Sequence, residues 1–145
     1  MCIYCRCAPE TELCSLAYDH AQMRELANEI EAKVAERRFG QAYALMAKLL
    51  NLFDAHVAEE ERGLFGQLTD AGEAGEEVGR LEAEHRVLRR DLSMAVLEGL
   101  RNVRPLLSRL CLHADIEDTD LFPYAHQVLC DERWAGLAGH PHPRT

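Results

Sequence analysis

Four stretches of this sequence step apolar residues by threes and fours, the spacing of one helical face, and each carries a single histidine on that face. Leu16, His20, Met23, Ala27, Ile30 and Val34 form the first stripe. Leu45, Leu49, Leu52 and His56 form the second, continued a turn later by Glu60. Val78, Leu81, His85, Leu88, Leu92 and Ala95 form the third. Val103, Leu106, Leu110, His113, Glu117, Leu121 and Tyr124 form the fourth. Strand alternation is absent and β-branched residues are few. Turn signals separate the stripes at Arg38-Phe39-Gly40, at Thr69-Asp70-Ala71-Gly72 and around Gly99. Amphipathic helices on short connections pack against their neighbours, so the expected class is all-α, an antiparallel up-down-up-down four-helix bundle. Pro9 and Thr11 suit the start of the first helix, and Pro105 the first turn of the fourth or a break just before it. Pro123, well inside the fourth helix, predicts a kink. The expected division is a Cys-rich segment over 1–12, the bundle over 13–130 and a tail over 131–145.

The histidines are not scattered along their helices. Positions 20 and 56 are equidistant from 38, positions 56 and 85 from 70.5, and positions 85 and 113 from 99, and each midpoint falls on a turn signal. Residues equidistant from the turn of an antiparallel hairpin lie side by side. His20, His56, His85 and His113 are therefore expected at one level, pointing inward. Glu60 and Glu117 follow their histidines by about one helical turn, roughly 6 Å along the axis.

The second and fourth stripes also share a frame. HVAEEERGLF begins at His56 and HADIEDTDLF at His113, so His56, Glu60, Leu64 and Phe65 match His113, Glu117, Leu121 and Phe122 at a constant offset of 57. Asp19-His20 followed by Met23-Arg24 resembles Glu84-His85 followed by Leu88-Arg89. Two related hairpins with an approximate twofold are expected, and a site with two similar halves. A single histidine on an apolar stripe is ordinarily a core residue bonded to a neighbour, and a single His-x3-Glu an exposed helix pair. Four imidazoles and two carboxylates in one layer are different, because burying a charge without a partner or a metal costs several kcal/mol. Imidazole nitrogen and carboxylate oxygen are natural metal donors. The set exceeds what one tetrahedral zinc needs. It suits two ions with two imidazoles each and Glu60 and Glu117 bridging, a donor set appropriate to non-haem iron.

With its glutamates each followed by Leu-Phe, this pattern resembles the hemerythrin-like (HHE) domain over roughly residues 13–130. The resemblance implies that His20, His56, Glu60, His85, His113 and Glu117 ligate a μ-oxo or μ-hydroxo di-iron centre. Two departures matter. Oxygen carriers of the family have a second histidine on the third helix, whereas Leu81 and Arg89 stand four residues either side of His85. Their fourth-helix spacing would select Asp118, while the internal repeat selects Glu117. The four-histidine, two-glutamate set is similar to that of di-iron proteins implicated in repair of damaged iron centres. Glu59, Glu82 and Tyr18 are alternative donors, expected instead around the centre or at the surface. Open positions on both irons would favour reaction with a small oxidant (dioxygen, hydrogen peroxide or nitric oxide), redox or peroxidase-like, over simple carriage. The alternative is a non-catalytic sensor, carrier or iron donor, with an unidentified protein partner or reductant.

A net charge of −9 disfavours nucleic-acid and anionic-membrane partners. No apolar run suggests a bilayer span and the N-terminal residues lack the apolar core of a signal peptide, so a cytoplasmic location is expected. The six cysteines are then expected as thiols, metal ligands or redox groups rather than structural disulfides. Cys2, Cys5, Cys7 and Cys14 could form a second metal site, a thiol relay or an inert reduced segment. Cys111, Cys130, Tyr124 and Trp134 are expected to pack, and His140 and His142 to be solvated. No Ser/His/Asp triad, phosphate loop or dinucleotide fingerprint is present.

Overall fold

The structure, a computed structural model, describes residues 10–129. These residues are all-α and form a four-helix bundle. The first rod is α1 (Glu10–Ala35). The second is α2 (Phe39–Glu59), a π-helical turn (Glu60–Phe65) and a short α3 (Gly66–Asp70). The third is α4 (Gly75–Leu97). The fourth is α5 (Val103–Ile116), a second π-turn (Glu117–Leu121) and α6 (Phe122–Leu129). Cys2, Cys5, Cys7, Cys130, Trp134, His140 and His142 lie outside the described residues.

Three rods close in the same way. A residue with positive φ, Arg37, Gly72 or Gly99, turns the chain left-handed. The next amide then donates back across the last turn, as in Arg38 N–H to Lys33 O at 2.8 Å, Glu73 N–H to Leu68 O at 2.9 Å and Leu100 N–H to Ala95 O at 2.9 Å. This double closure satisfies carbonyls that a helix end leaves bare. It also moves the first turn. The sequence suggests Arg38-Phe39-Gly40, but the left-handed residue is Arg37 and Gly40 lies inside α2. A nonglycine residue in that conformation costs about 1 kcal/mol, which the closure offsets.

The buried faces follow the sequence stripes on α1, α4 and most of α5, with differences elsewhere. On α2 the buried set is Ala42, Met46, Leu49, Phe53 and His56. Leu45 and Leu52, expected inside, are only partly buried and pack against the core. Leucines at 45, 49 and 52 sit beside Met46 and Phe53, so two adjacent stripes were available. The stripe through Met46, Leu49 and Phe53 took the centre. In the fourth rod Ala125 is buried, whereas Tyr124, expected in the stripe, is 37% exposed and donates its hydroxyl to Glu73.

The π-turns account for that shift. His113, Glu117, Leu121, Ala125 and Leu129 are all buried, four successive steps of four residues. An α-helix turns about 100° per residue, so each step of four overshoots by about 40° and four steps would leave the face entirely. A wider turn absorbs the excess. The second π-turn ends two residues before Pro123. The Thr119 hydroxyl donates to the Asp115 carbonyl at its start, at 2.8 Å.

The apolar core is divided. Met23, Leu49, Phe53, Leu88 and Leu110 belong to one cluster. Leu16, Leu64, Leu81 and Leu121 belong to another. On every rod the histidine lies between the two, and the order of the clusters reverses from each rod to the next. Cys111 is a free thiol packed against the first cluster. Cys14 is disulfide-bonded, where the sequence suggests thiols, metal ligands or redox groups rather than structural disulfides. No helix among the described residues is long and apolar enough to cross a membrane.

Met46 is 0% exposed. Met46→Ala is expected to lower the unfolding free energy by about 2–5 kcal/mol and Leu45→Ala by less than about half as much. Urea denaturation of the two variants checks the order, which the leucine stripe alone would reverse.

Candidate metal centre

His20 (α1), His56 (α2), His85 (α4) and His113 (α5) are each at most 3% exposed, and Glu60 and Glu117, the first residues of the two π-turns, are fully buried. The Nε2 atoms meet in pairs, His20 with His56 at 3.1 Å and His85 with His113 at 3.1 Å. Each Nδ1 faces outward onto a carboxylate. His20 meets Asp118 at 2.8 Å, His56 meets Asp19 at 3.0 Å, His85 meets Glu61 at 2.8 Å and His113 meets Glu84 at 2.7 Å. An ionised carboxylate only accepts hydrogen bonds, so each Nδ1 carries a proton. The neutral ring therefore presents a lone pair on Nε2. Two such lone pairs 3.1 Å apart repel each other unless a proton or a metal ion lies between them.

The two glutamates lie across these pairs. Glu117 Oε1 is 3.0 Å from His20 Nε2, while its Oε2 is 3.2 Å from His113 Nε2 and 3.5 Å from His85 Nε2. Glu60 Oε1 is 3.1 Å from His85 Nε2 and its Oε2 is 3.9 Å from His56 Nε2. Each carboxylate thus offers one oxygen to each imidazole pair. With neutral rings these oxygens have no donor, and all four are buried without a hydrogen-bond partner. Unpartnered charge of this kind is expensive. A metal ion would serve both the lone pairs and the carboxylates, so the residues present fit one.

Without metal, protons take that place. Burial disfavours the charged form of His20, but hydrogen bonds with Asp118 and Glu117 outweigh it and raise its pKa to about 9. Burial acts likewise on His85, and Glu117 and Glu60 carry it up to about 10. His113 is also raised, burial again being outweighed by Glu117 and Glu84. Burial would lift Glu117, yet His113, His20 and His85 hold it well below the usual carboxylate range. Glu60 is raised, by burial and then by the Glu117 charge.

The repeat now has a physical role at each place. Phe122 stacks on His20, with rings 5.4 Å apart and 3° from parallel. Phe65 stacks on His85, at 5.8 Å and 0°. Each π-turn therefore supplies a buried glutamate and a following acid that holds Nδ1 of a histidine on another rod, and a phenylalanine at or just after its end covers that ring's face. Asp19 and Glu84, each preceding a histidine, hold the partner ring of the same hairpin.

All six residues expected from the sequence converge here. Two groups of donor atoms, each within 4.8 Å of one another, could hold an ion: His20, His56, Glu60 and Glu117, and His85, His113 and Glu117. Asp118 turns to His20 Nδ1 and Arg24 rather than inward. Glu59 and Glu82 belong to neither group, and Tyr18 is 64% exposed. The outer acids Asp19, Glu61, Glu84 and Asp118 were not assigned from the sequence as histidine partners. Their signal was present in the matched pairs Asp19-His20 and Glu84-His85, and Glu60-Glu61 and Glu117-Asp118.

The family model for the hemerythrin HHE cation binding domain matches residues 15–125. No curated protein and no solved structure matches the chain.

In the metal-free protein, His20 and His85 bind protons more tightly folded than unfolded. Their stabilisation is complete below the ordinary value of 6.5 and is lost as pH rises through about 9 and about 10. Urea midpoints of chelator-treated protein should fall between about pH 7 and pH 10. Midpoints that rise over this range contradict the assignment.

Proposed function

From a chain that belongs to the hemerythrin HHE cation-binding domain family, we propose a non-haem di-iron protein that reacts with a small oxidant: dioxygen, hydrogen peroxide or nitric oxide. The rods run up-down-up-down, so the four histidines share one depth. His20 and His56 would hold one iron and His85 and His113 the other, with Glu60 and Glu117 within reach of both. The observation that carries this reading is the pair of fully buried glutamates whose four oxygens have no hydrogen-bond partner. Cations held by those oxygens would offset the buried negative charge. Imidazole and carboxylate together tolerate both ferrous and ferric iron.

The rest of the layer supports the same reading. The outer acids fix the tautomer of each ring and raise its basicity toward a metal. Phe65 and Phe122 cover His85 and His20 and keep water off those ring faces. Bound iron would supply electron exchange with the oxidant. The surrounding residues orient the donors and hold the protons on Nδ1. A cytoplasmic location, with a reductant available, fits this chemistry.

Iron-loaded protein should contain two iron ions per chain and absorb in the visible range. Glu117→Ala should abolish paired loading, and Asp118→Asn should weaken it by about 10–100-fold. Anaerobic ferrous protein mixed with hydrogen peroxide and a reductant should consume peroxide over many cycles. A single stoichiometric oxidation without turnover points instead to a sensor, carrier or iron donor. A colourless protein that prefers zinc contradicts the proposal.

A further inference from the structure

The two halves of the layer match inside and differ outside. Asp118 and Glu61 occupy equivalent places, each holding the Nδ1 of a histidine on another rod. Beside His20, Arg24 lies across the outside and reaches both Asp118 Oδ2 at 2.6 Å and Asp115 Oδ1 at 2.7 Å. Arg89 is the counterpart of Arg24 in the repeat. It turns away, donating to Asp54 at 2.5 Å and to Ser93. Glu61 is left with His85 as its only ion-pair partner among the described residues.

A cleft of about 640 Å³ opens at this place. It lies between α2 and α4, and its lining includes Phe53 and the otherwise buried His85. Arg86, Arg89 and Arg90 line it against two acids, Asp54 and Glu61. Arg89 neutralises Asp54, and Glu61 is engaged with His85. Arg86 is exposed and makes no ion pair among the described residues. Arg90, 68% exposed, pairs with Asp91 at 2.9 Å, an acid that Arg109 also holds at 3.0 Å. In a chain of net charge −9, a cleft in which cations outnumber acids is a local reversal. An excess of one sign of charge in a cleft favours ions of the other.

We propose that this cleft admits small inorganic monoanions, of the class of azide, nitrite and hydroperoxide, to the His85–His113 half of the centre. Arg24 closes the matching route on the α1–α5 side. The two halves then differ in access although their donor sets match. Arg86 and Arg90 attract the anion, and the apolar wall of Phe53 leads it past Glu61 to His85. Neutral ligands use the same opening without the charge dependence. This inference rests on the di-iron reading.

The test uses the full chain loaded with iron, after its iron content is measured. Stopped-flow absorbance follows azide binding to the ferric form, and nitric oxide binding to the ferrous form supplies the neutral comparison. Arg86→Glu combined with Arg90→Glu should slow azide association roughly tenfold at low ionic strength and leave nitric oxide association unchanged. Arg101→Glu combined with Arg104→Glu makes the same change in net charge at a different cleft, and should shift azide association by less than about twofold. Ala58 lines the cleft at an exposed position, so Ala58→Trp should slow both ligands. As a readout independent of iron chemistry, nitrite added to zinc-loaded protein should shift the NMR signals of the Arg86 and Arg90 side chains. Equal slowing of azide by both arginine pairs, or unchanged binding of both ligands in Ala58→Trp, overturns the access route alone. A chain that takes up no iron overturns the di-iron reading along with it.

Discussion

Two carboxylates in the dry centre of a bundle need cations, and the rest of this fold is arranged around that requirement. Glu60 and Glu117 are fully buried and, with neutral imidazoles around them, have no hydrogen-bond donor. The four imidazoles alone do not resolve the cost, because the outer acids have already claimed the proton of each ring at Nδ1. Either His20, His85 and His113 take second protons, as their raised affinities indicate, or metal ions take that place. A proton-filled layer and a metal-filled layer are thus alternative ways of meeting the same charge demand, and acid weakens metal binding by competition.

Holding such a layer at one depth sets the backbone as well as the side chains. Both π-turns begin on a buried glutamate and end on or next to the phenylalanine that stacks on a histidine. An uninterrupted α-helix could present His113 and Glu117 to the centre but would rotate Ala125 and Leu129 away from the core. The wider turn keeps the donors and the packing below them on one face. Irregular helical geometry next to a functional site is a recurring feature of proteins, and here the run of four-residue steps gives it a mechanical cause.

The all-α class, the four rods and the gathering of His20, His56, Glu60, His85, His113 and Glu117 were legible in the sequence. They follow from period and symmetry, which do not depend on side-chain detail. The buried face of α2 was less legible, since Leu45 and Leu52 compete with Met46 and Phe53 on adjacent stripes of equal apolarity. The π-turns left a trace that periodicity alone does not separate from an α-helix, namely steps of four with no compensating three. The outer acids were less visible still. Asp19, Glu61, Glu84 and Asp118 look like ordinary surface charges until the neighbouring rod brings a ring nitrogen to within 3.0 Å or less. Arg24 and Arg89 occupy matching places in the repeat, and their different partners depend on Asp115 and Asp54, which sequence symmetry does not relate.

Inner symmetry with outer asymmetry gives the two halves of the layer different surroundings. Beside His20 an arginine seals the outer acid. Beside His85 a cleft remains. Before any question of reactivity, the account requires two metal positions in that layer. Anomalous diffraction at the iron edge from crystals of iron-loaded protein tests this most directly. The account predicts two peaks, one against the Nε2 atoms of His20 and His56 and one against those of His85 and His113, with Glu60 and Glu117 reaching both. A single peak on one histidine pair, or peaks only at surface acids, would contradict it.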